Sequence, residues 1–209
     1  MSTIEISKLV PSFVKAFASV ERVERQLQRV TSALDQAEVC YAVIGGHAVA
    51  AWVATIDESR IRNTKDVDIL LRREDLDAAG RAVMLANFEP TFVGSLPVFL
   101  EADDPRPSRG VHVLIANEKV HADEPRVAPD PANAVRSERG YPVVDLQTLV
   151  RMKLDAFRLH DQVHLEDLFG AGLITAELTT HLEPDQLERL RQVCDRWRPE
   201  PWDAPKFTF

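Results

Sequence analysis

The sequence predicts an α+β fold with a helical C-terminal portion, and three observations carry that expectation. Short β-branched and apolar runs crowd the first two-thirds of the 209 residues, at 39–44, at Val67-Asp68-Ile69-Leu70-Leu71 and at 110–115. After Tyr141 the apolar residues instead recur every three or four positions, the period of a helix. Between the two characters lies a turn-rich passage, since seven of the 13 prolines fall from Pro97 to Pro142. Runs of strands followed by runs of helices segregate rather than alternate, which favours α+β over a parallel α/β sheet. The expected organisation is an α/β core with an N-terminal helix over 1–140, and a helical region packed on it over 141–209.

The elements follow in order. Over 11–36, Phe13, Phe17, Val20, Val23, Leu27, Val30 and Leu34 form one apolar stripe of a long amphipathic helix, read as core packing. A short buried strand at 39–44 runs into Gly45-Gly46, and a helix restarts over 47–54. A polar loop at 56–63 leads to the strand that carries Asp66 and Asp68. A second amphipathic helix over 74–87 shows Leu76, Ala79, Val83 and Ala86 at helical spacing. Two short strands at 91–93 and 97–100 precede the stronger one at 110–115, and 117–139 is polar enough for a cover or linker. Asp145 is placed to cap a helix over 146–159, Asp161 to cap another over 162–169 that stops at Gly170. A short segment at 175–182 precedes a helix over 185–197, with Pro184 where a first turn tolerates it. The tail from Pro199 is expected to wrap loosely.

Composition narrows the function classes. No apolar run approaches the roughly 20 residues that span a bilayer, and the opening Met1-Ser2-Thr3-Ile4-Glu5 lacks the order of a signal peptide. Cys40 and Cys194 suggest neither a disulfide framework nor zinc, so a reducing, cytoplasmic setting is the expectation. A net charge of −8 argues against long DNA as a partner.

The chemistry concentrates between Tyr41 and Arg73. Asp66 and Asp68 stand two residues apart in an apolar run, so on a strand they share one face. Adjacent carboxylates repel and resist burial unless compensated, and a hard divalent cation with oxygen preference compensates them. Gly45-Gly46 before a helix start offers backbone N–H groups and the positive end of the helix dipole to a phosphate. Arg60, Arg62, Lys65, Arg72 and Arg73 supply a cationic rim. The competing reading is a solvent-facing strand edge, with each aspartate paired to Arg62, Lys65 or Arg72. His160 and His164 share a helix face with Asp167, yet no further ligands at zinc spacing follow.

Gly45-Gly46-His47-Ala48-Val49-Ala50-Ala51-Trp52, then Arg62-x-Thr64-x-Asp66-x-Asp68-Ile69-Leu70-Leu71, resemble the nucleotidyltransferase superfamily of DNA polymerase β. Within it they look most like small bacterial AbiE-type toxin proteins. Lys153, Arg158, Asp161 and Asp167 resemble that family's helical half, so the likeness covers roughly 39–71 and 141–175. It implies a mixed β-sheet flanked by helices, and transfer of a nucleotide monophosphate from an NTP to a hydroxyl. Asp66 and Asp68 would hold Mg²⁺ or Mn²⁺, Gly45 and Gly46 the phosphates, and Lys153 a nucleotide phosphate, with Arg62 or Lys65 at the rim. Asp161 and Asp167 would orient Lys153 or support the site. The acceptor would be RNA, protein or a small molecule, and an antitoxin a possible partner.

Two departures stand out. The 19 residues between Gly46 and Asp66 make an enlarged loop. Where the family places a third carboxylate on a later strand, 110–115 offers His112 and Leu114 on one face and no acid. The second functional reading is therefore a catalytically degenerate relative that binds nucleotide or regulates.

Overall fold

Hydrophobic strands with both faces covered set the centre of this molecule. The computed structural model describes residues 6–120 and 125–197, with the side chains of 6–16 left out. Seven strands form one mixed sheet: β1 (Tyr41–Val43), β2 (Val67–Leu71), β3 (Phe88–Val93), β4 (Leu96–Glu101), β5 (Val111–Ile115), β6 (Val135–Arg136) and β7 (Pro142–Val143), in the order β3-β4-β5-β2-β1-β7-β6. β2 runs antiparallel to β1 and parallel to β5, pairing Asp68 with His112 and Leu70 with Leu114. The central strands β1, β2 and β5 are almost wholly buried, as their near-continuous apolar runs require.

The described helices are α1 (Ile6–Gln36), α2 (Gly45–Ala54), α3 (Leu76–Leu85), α4 (Leu146–Ala156), α5 (Leu159–Gly170), α6 (Ala176–Thr179) and α7 (Pro184–Arg196). α1 packs on α3, while α2, α4, α5 and α7 contact one another and form the helical C-terminal side. The α+β expectation and the helical C-terminal portion both hold. None of the described helices is long and apolar enough to cross a membrane.

Several boundaries differ, each for a local reason. The long amphipathic helix buries Val23, Leu27, Val30 and Leu34, but Phe17 is 68% exposed and is not core packing as expected. The Phe13 side chain lies outside the described residues. Gly45 does not break the helix; it is the first helical residue, and its φ of +65° makes the turn out of β1. β2 begins at Val67, which leaves Asp66 just before the strand and exposed. The hairpin β3–β4 is longer than its apolar runs suggest, closed by Gly94 at φ +63° in a two-residue turn. α4 stops at Ala156 because Phe157 adopts a left-handed φ of +48°, and α5 starts three residues earlier than expected. Asp161 is thus the third residue of α5 rather than its cap, although its Oδ2 still accepts from the Arg158 N–H. Asp145 caps α4 as expected by accepting from the Thr148 N–H, and Pro184 opens α7 in a capping box formed by Glu183 and Gln186. The tail from Pro199 lies outside the described residues.

Candidate functional site

The turn from β1 into α2 is pressed against the aspartate strand. Ile44 N–H donates to the Asp68 carbonyl at 3.0 Å, extending the β1–β2 ladder to the residue just before α2. A Cβ on Gly45 would lie 2.2 Å from Asp68 Oδ2, and one on Gly46 would lie 2.7 Å from Thr64 Oγ1. The space that these glycines free is filled by the protein's own side chains. Their backbone N–H groups begin α2, whose N-terminus has no side-chain cap.

Asp68 is half-buried and faces His112, with His112 Nδ1 at 3.3 Å from Asp68 Oδ1 and His112 Nε2 at 3.3 Å from the Pro107 carbonyl. Two acceptors around one imidazole favour its protonated form. The Asp68 hydrogen bond, with smaller contributions from the Asp68, Pro107 and Asp66 charges and dipoles, outweighs burial and raises the His112 pKa. Asp66 makes no ion pair among the described residues. Neither carboxylate is paired with Arg62, Lys65 or Arg72, although Asp66 does face solvent at the start of the strand, as the strand-edge reading held.

The cationic rim is largely spoken for. Arg62 Nε donates to both Asp167 oxygens, at 2.9 and 2.8 Å. Arg72 pairs with Asp130 and Arg73 with Glu118, while Arg60 packs against Gly170. Lys65 is exposed and makes no ion pair among the described residues. Asp167 therefore holds Arg62 and does not orient Lys153.

Asp161 does orient Lys153. Lys153, on α4 and only 8% exposed, donates through Nζ to Asp161 Oδ1 at 2.7 Å, and Asp161 is 2% exposed. Such a buried pair is costly to form and costlier to break, which fixes the ammonium in place. Beside it, His164 is held down to about 4, by burial first and then by the Lys153 charge.

These groups meet. A cavity of about 170 Å³ is lined by Gly45 and Asp68 from the sheet side and by Lys153, Asp161 and His160 from the helical side. Val127, Ala128 and Pro129 close it from the expected cover segment. Gly46, Asp66, Arg62 and Lys65 stay outside its walls. Larger hollows, such as one of about 730 Å³ between α1 and α3, contain none of this chemistry. Arg126, which the sequence did not single out, lines the same cavity and ties the cover to Asp155 on α4 and Asp185 on α7. A pairing across 29 and 59 positions leaves no local signal. Thr64 was also passed over, though its place before the aspartates was visible. Trp52 Nε1 donates to the Val144 carbonyl, and Trp197 meets Phe169 edge-on. Among the described residues no three His, Cys, Asp or Glu side chains converge as a ready-made metal cage.

No family model matches the chain, and no curated protein matches it. Solved structures do. The antibiotic-resistance factor ANT(2'')-Ia, in a solution structure, aligns with a TM-score of 0.45 at 12% identity over 82% of each chain. A crystal structure of ANT(2")-Ia with adenylyl-2"-tobramycin gives 0.41 at 13%, covering 80% of this chain and 85% of that one. The Megavirus polyadenylate synthase gives 0.39 at 14%, over 82% of this chain and 35% of that one.

Proposed function

We propose that the protein is a metal-dependent nucleotidyltransferase, moving a nucleotide monophosphate from an NTP onto a hydroxyl. The observation that carries the reading is the shared cavity: Gly45, Asp68 and Lys153 come from three separate elements and line one space. Asp66 and Asp68 would hold Mg²⁺ or Mn²⁺. The donors fit such an ion, because Mg²⁺ is commonly bound by one or two carboxylates plus substrate phosphates rather than by an all-protein cage. When bound, the ion supplies charge neutralisation on the triphosphate.

The chain's own residues do the rest. The N–H groups of Gly45 and Gly46 donate to phosphate oxygens at the positive end of α2. Lys153 spends one N–H on Asp161 and keeps two for a phosphate, with Asp161 fixing its direction. Lys65 adds charge at the rim, and Arg62 positions the loop before Asp66 through Asp167. In the reaction the acceptor oxygen bonds the α-phosphorus while the bond to the bridging oxygen breaks. Pyrophosphate leaves, and the hydroxyl proton passes to water.

Likeness to AbiE-type proteins extends the reading to a cytoplasmic toxin restrained by an antitoxin, with an RNA end, a protein or a small molecule as acceptor. One observation favours the second reading, a nucleotide-binding or regulatory module. His112 stands beside Asp68 in the ladder, and no acid does. Labelled NTPs with Mg²⁺ or Mn²⁺ and a cell extract separate the two. Transfer that disappears in an Asp66→Ala/Asp68→Ala variant supports the enzyme; nucleotide binding without transfer supports the module. Growth arrest on expression, absent in the same variant, tests the toxin role.

A further inference from the structure

We infer that Thr64 is the positioning residue for Asp66, acting through its contact with Gly46; the inference rests on the proposed role of Asp66 as a metal ligand. Asp66 precedes β2, so the strand ladder that orients Asp68 does not orient it. Between Ile61 and Val67 the chain is exposed at Arg62, Asn63, Lys65 and Asp66, and only Thr64 is half-buried. Arg62 tethers the loop from outside through Asp167, and Thr64 is the packed residue nearest the acid.

Its anchorage is specific. A Cβ on Gly46 would stand 2.7 Å from Thr64 Oγ1 and 2.8 Å from Thr64 Cβ, closer than a carbon contact allows. Thr64 thus lies flat against the second residue of α2. Its hydroxyl points to the Asp66 carbonyl oxygen at 3.4 Å, a long and weak donation to the residue that bears the acid. Gly46 sits in a helix, where alanine is ordinarily the better residue. Its backbone needs no positive φ. The contact with Thr64 explains why a glycine stands there: it lets the loop close on the helix start two residues before Asp66.

The test compares Thr64→Val, which keeps the shape and loses the hydroxyl, with Thr64→Ser, which keeps the hydroxyl. Mn²⁺ affinity is read by electron paramagnetic resonance, and kcat and KM are read for NTP transfer, with thermal unfolding to confirm folding. Outer residues that orient metal ligands change affinity or activity by about 10–100-fold. Thr64→Val is expected to weaken Mn²⁺ binding and kcat in that range with KM nearly unchanged, and Thr64→Ser to restore both. In parallel, Gly46→Ala is expected to cost affinity in the wild-type background and much less with Thr64→Gly, where no Cβ opposes it. Thr64→Val with wild-type Mn²⁺ affinity and kcat overturns the inference, as does an equal Gly46→Ala cost in both backgrounds. A wild-type protein that binds no Mn²⁺ and transfers no label overturns the function proposed above. In that event the Gly46–Thr64 coupling persists in thermal stability, so the two failures are told apart.

Discussion

The two walls of the cavity handle charge in opposite ways. On the helical wall the acids and bases are matched: Lys153 with Asp161, and Arg126 with Asp155 and Asp185. On the sheet wall Asp68 faces the His112 imidazole, and Asp66, just outside that wall, has no ion pair among the described residues. A folding chain with several arginines nearby leaves this pair without them, although compensation is available a few residues away. The helical wall is built to stay as it is. The sheet wall is where the proposed function places a cation.

The contrast breaks most visibly at its strongest pair. Asp161→Ala strands the Lys153 ammonium in a buried position and is expected to cost about 3–5 kcal/mol in urea unfolding. A Lys153→Met/Asp161→Leu double variant should recover most of that loss while abolishing transfer.

On the sheet wall the expected response is to ligand rather than to mutation. At a hundredfold excess over its dissociation constant, Mn²⁺ should stabilise the wild type by about 2.7 kcal/mol. Asp66→Asn/Asp68→Asn should lose that increment while its metal-free stability changes little. A metal-free protein strongly altered by this pair of changes breaks the distinction between the walls.

Next comes His47, at the start of α2 behind the Gly45 turn. It is 2% exposed, neither ring nitrogen has a hydrogen-bond partner among the described residues, and burial holds its pKa down to about 4. The unfolded chain therefore takes up a proton between about pH 6.5 and 4 that the folded chain refuses, so stability falls as pH drops through that window. Between roughly pH 7.5 and pH 5, His47→Leu should lose about 2 kcal/mol less than wild type in urea titrations. Identical slopes in both proteins remove His47 from the account.

The smallest effect belongs to Arg62, whose side chain is 62% exposed in its pair with Asp167. Arg62→Ala should cost under about 1 kcal/mol of stability. Its effect on KM for NTP then shows whether the residue serves substrate or only tethers the loop.

Much of this was legible because the relevant residues are local. Asp68 alternates with Val67 and Ile69, a pattern that fixes its face from the sequence alone, and Gly45-Gly46 marks where β1 gives way to α2. Lys153 was legible only through family likeness, since a lysine on an amphipathic helix reads equally well as surface. What escaped was set by contacts distant in sequence. Asp167 was expected to orient Lys153 or support the site, and it is taken by Arg62, 105 residues away. Arg72 and Arg73 were assigned to the rim but close on Asp130 and Glu118. The end of α4 turned on one left-handed phenylalanine, a conformation that its side chain does not advertise. The stripe of α1 gave the right period but not the point where packing ends, because nothing in Phe17 distinguishes it from Val23 until a partner surface is in place.

The central claim of the proposed function is that Asp66 and Asp68 bind the metal of a triphosphate held at the Gly45 turn. The most direct measurement is a crystal structure with Mn²⁺ and a non-hydrolysable NTP, using the anomalous signal to locate the ion. The account predicts a Mn²⁺ peak ligated by Asp66 and Asp68, with phosphate oxygens on the Gly45 and Gly46 N–H groups and one near Lys153 Nζ. A nucleotide bound elsewhere, or a cavity that stays free of metal with His112 still on Asp68, contradicts it.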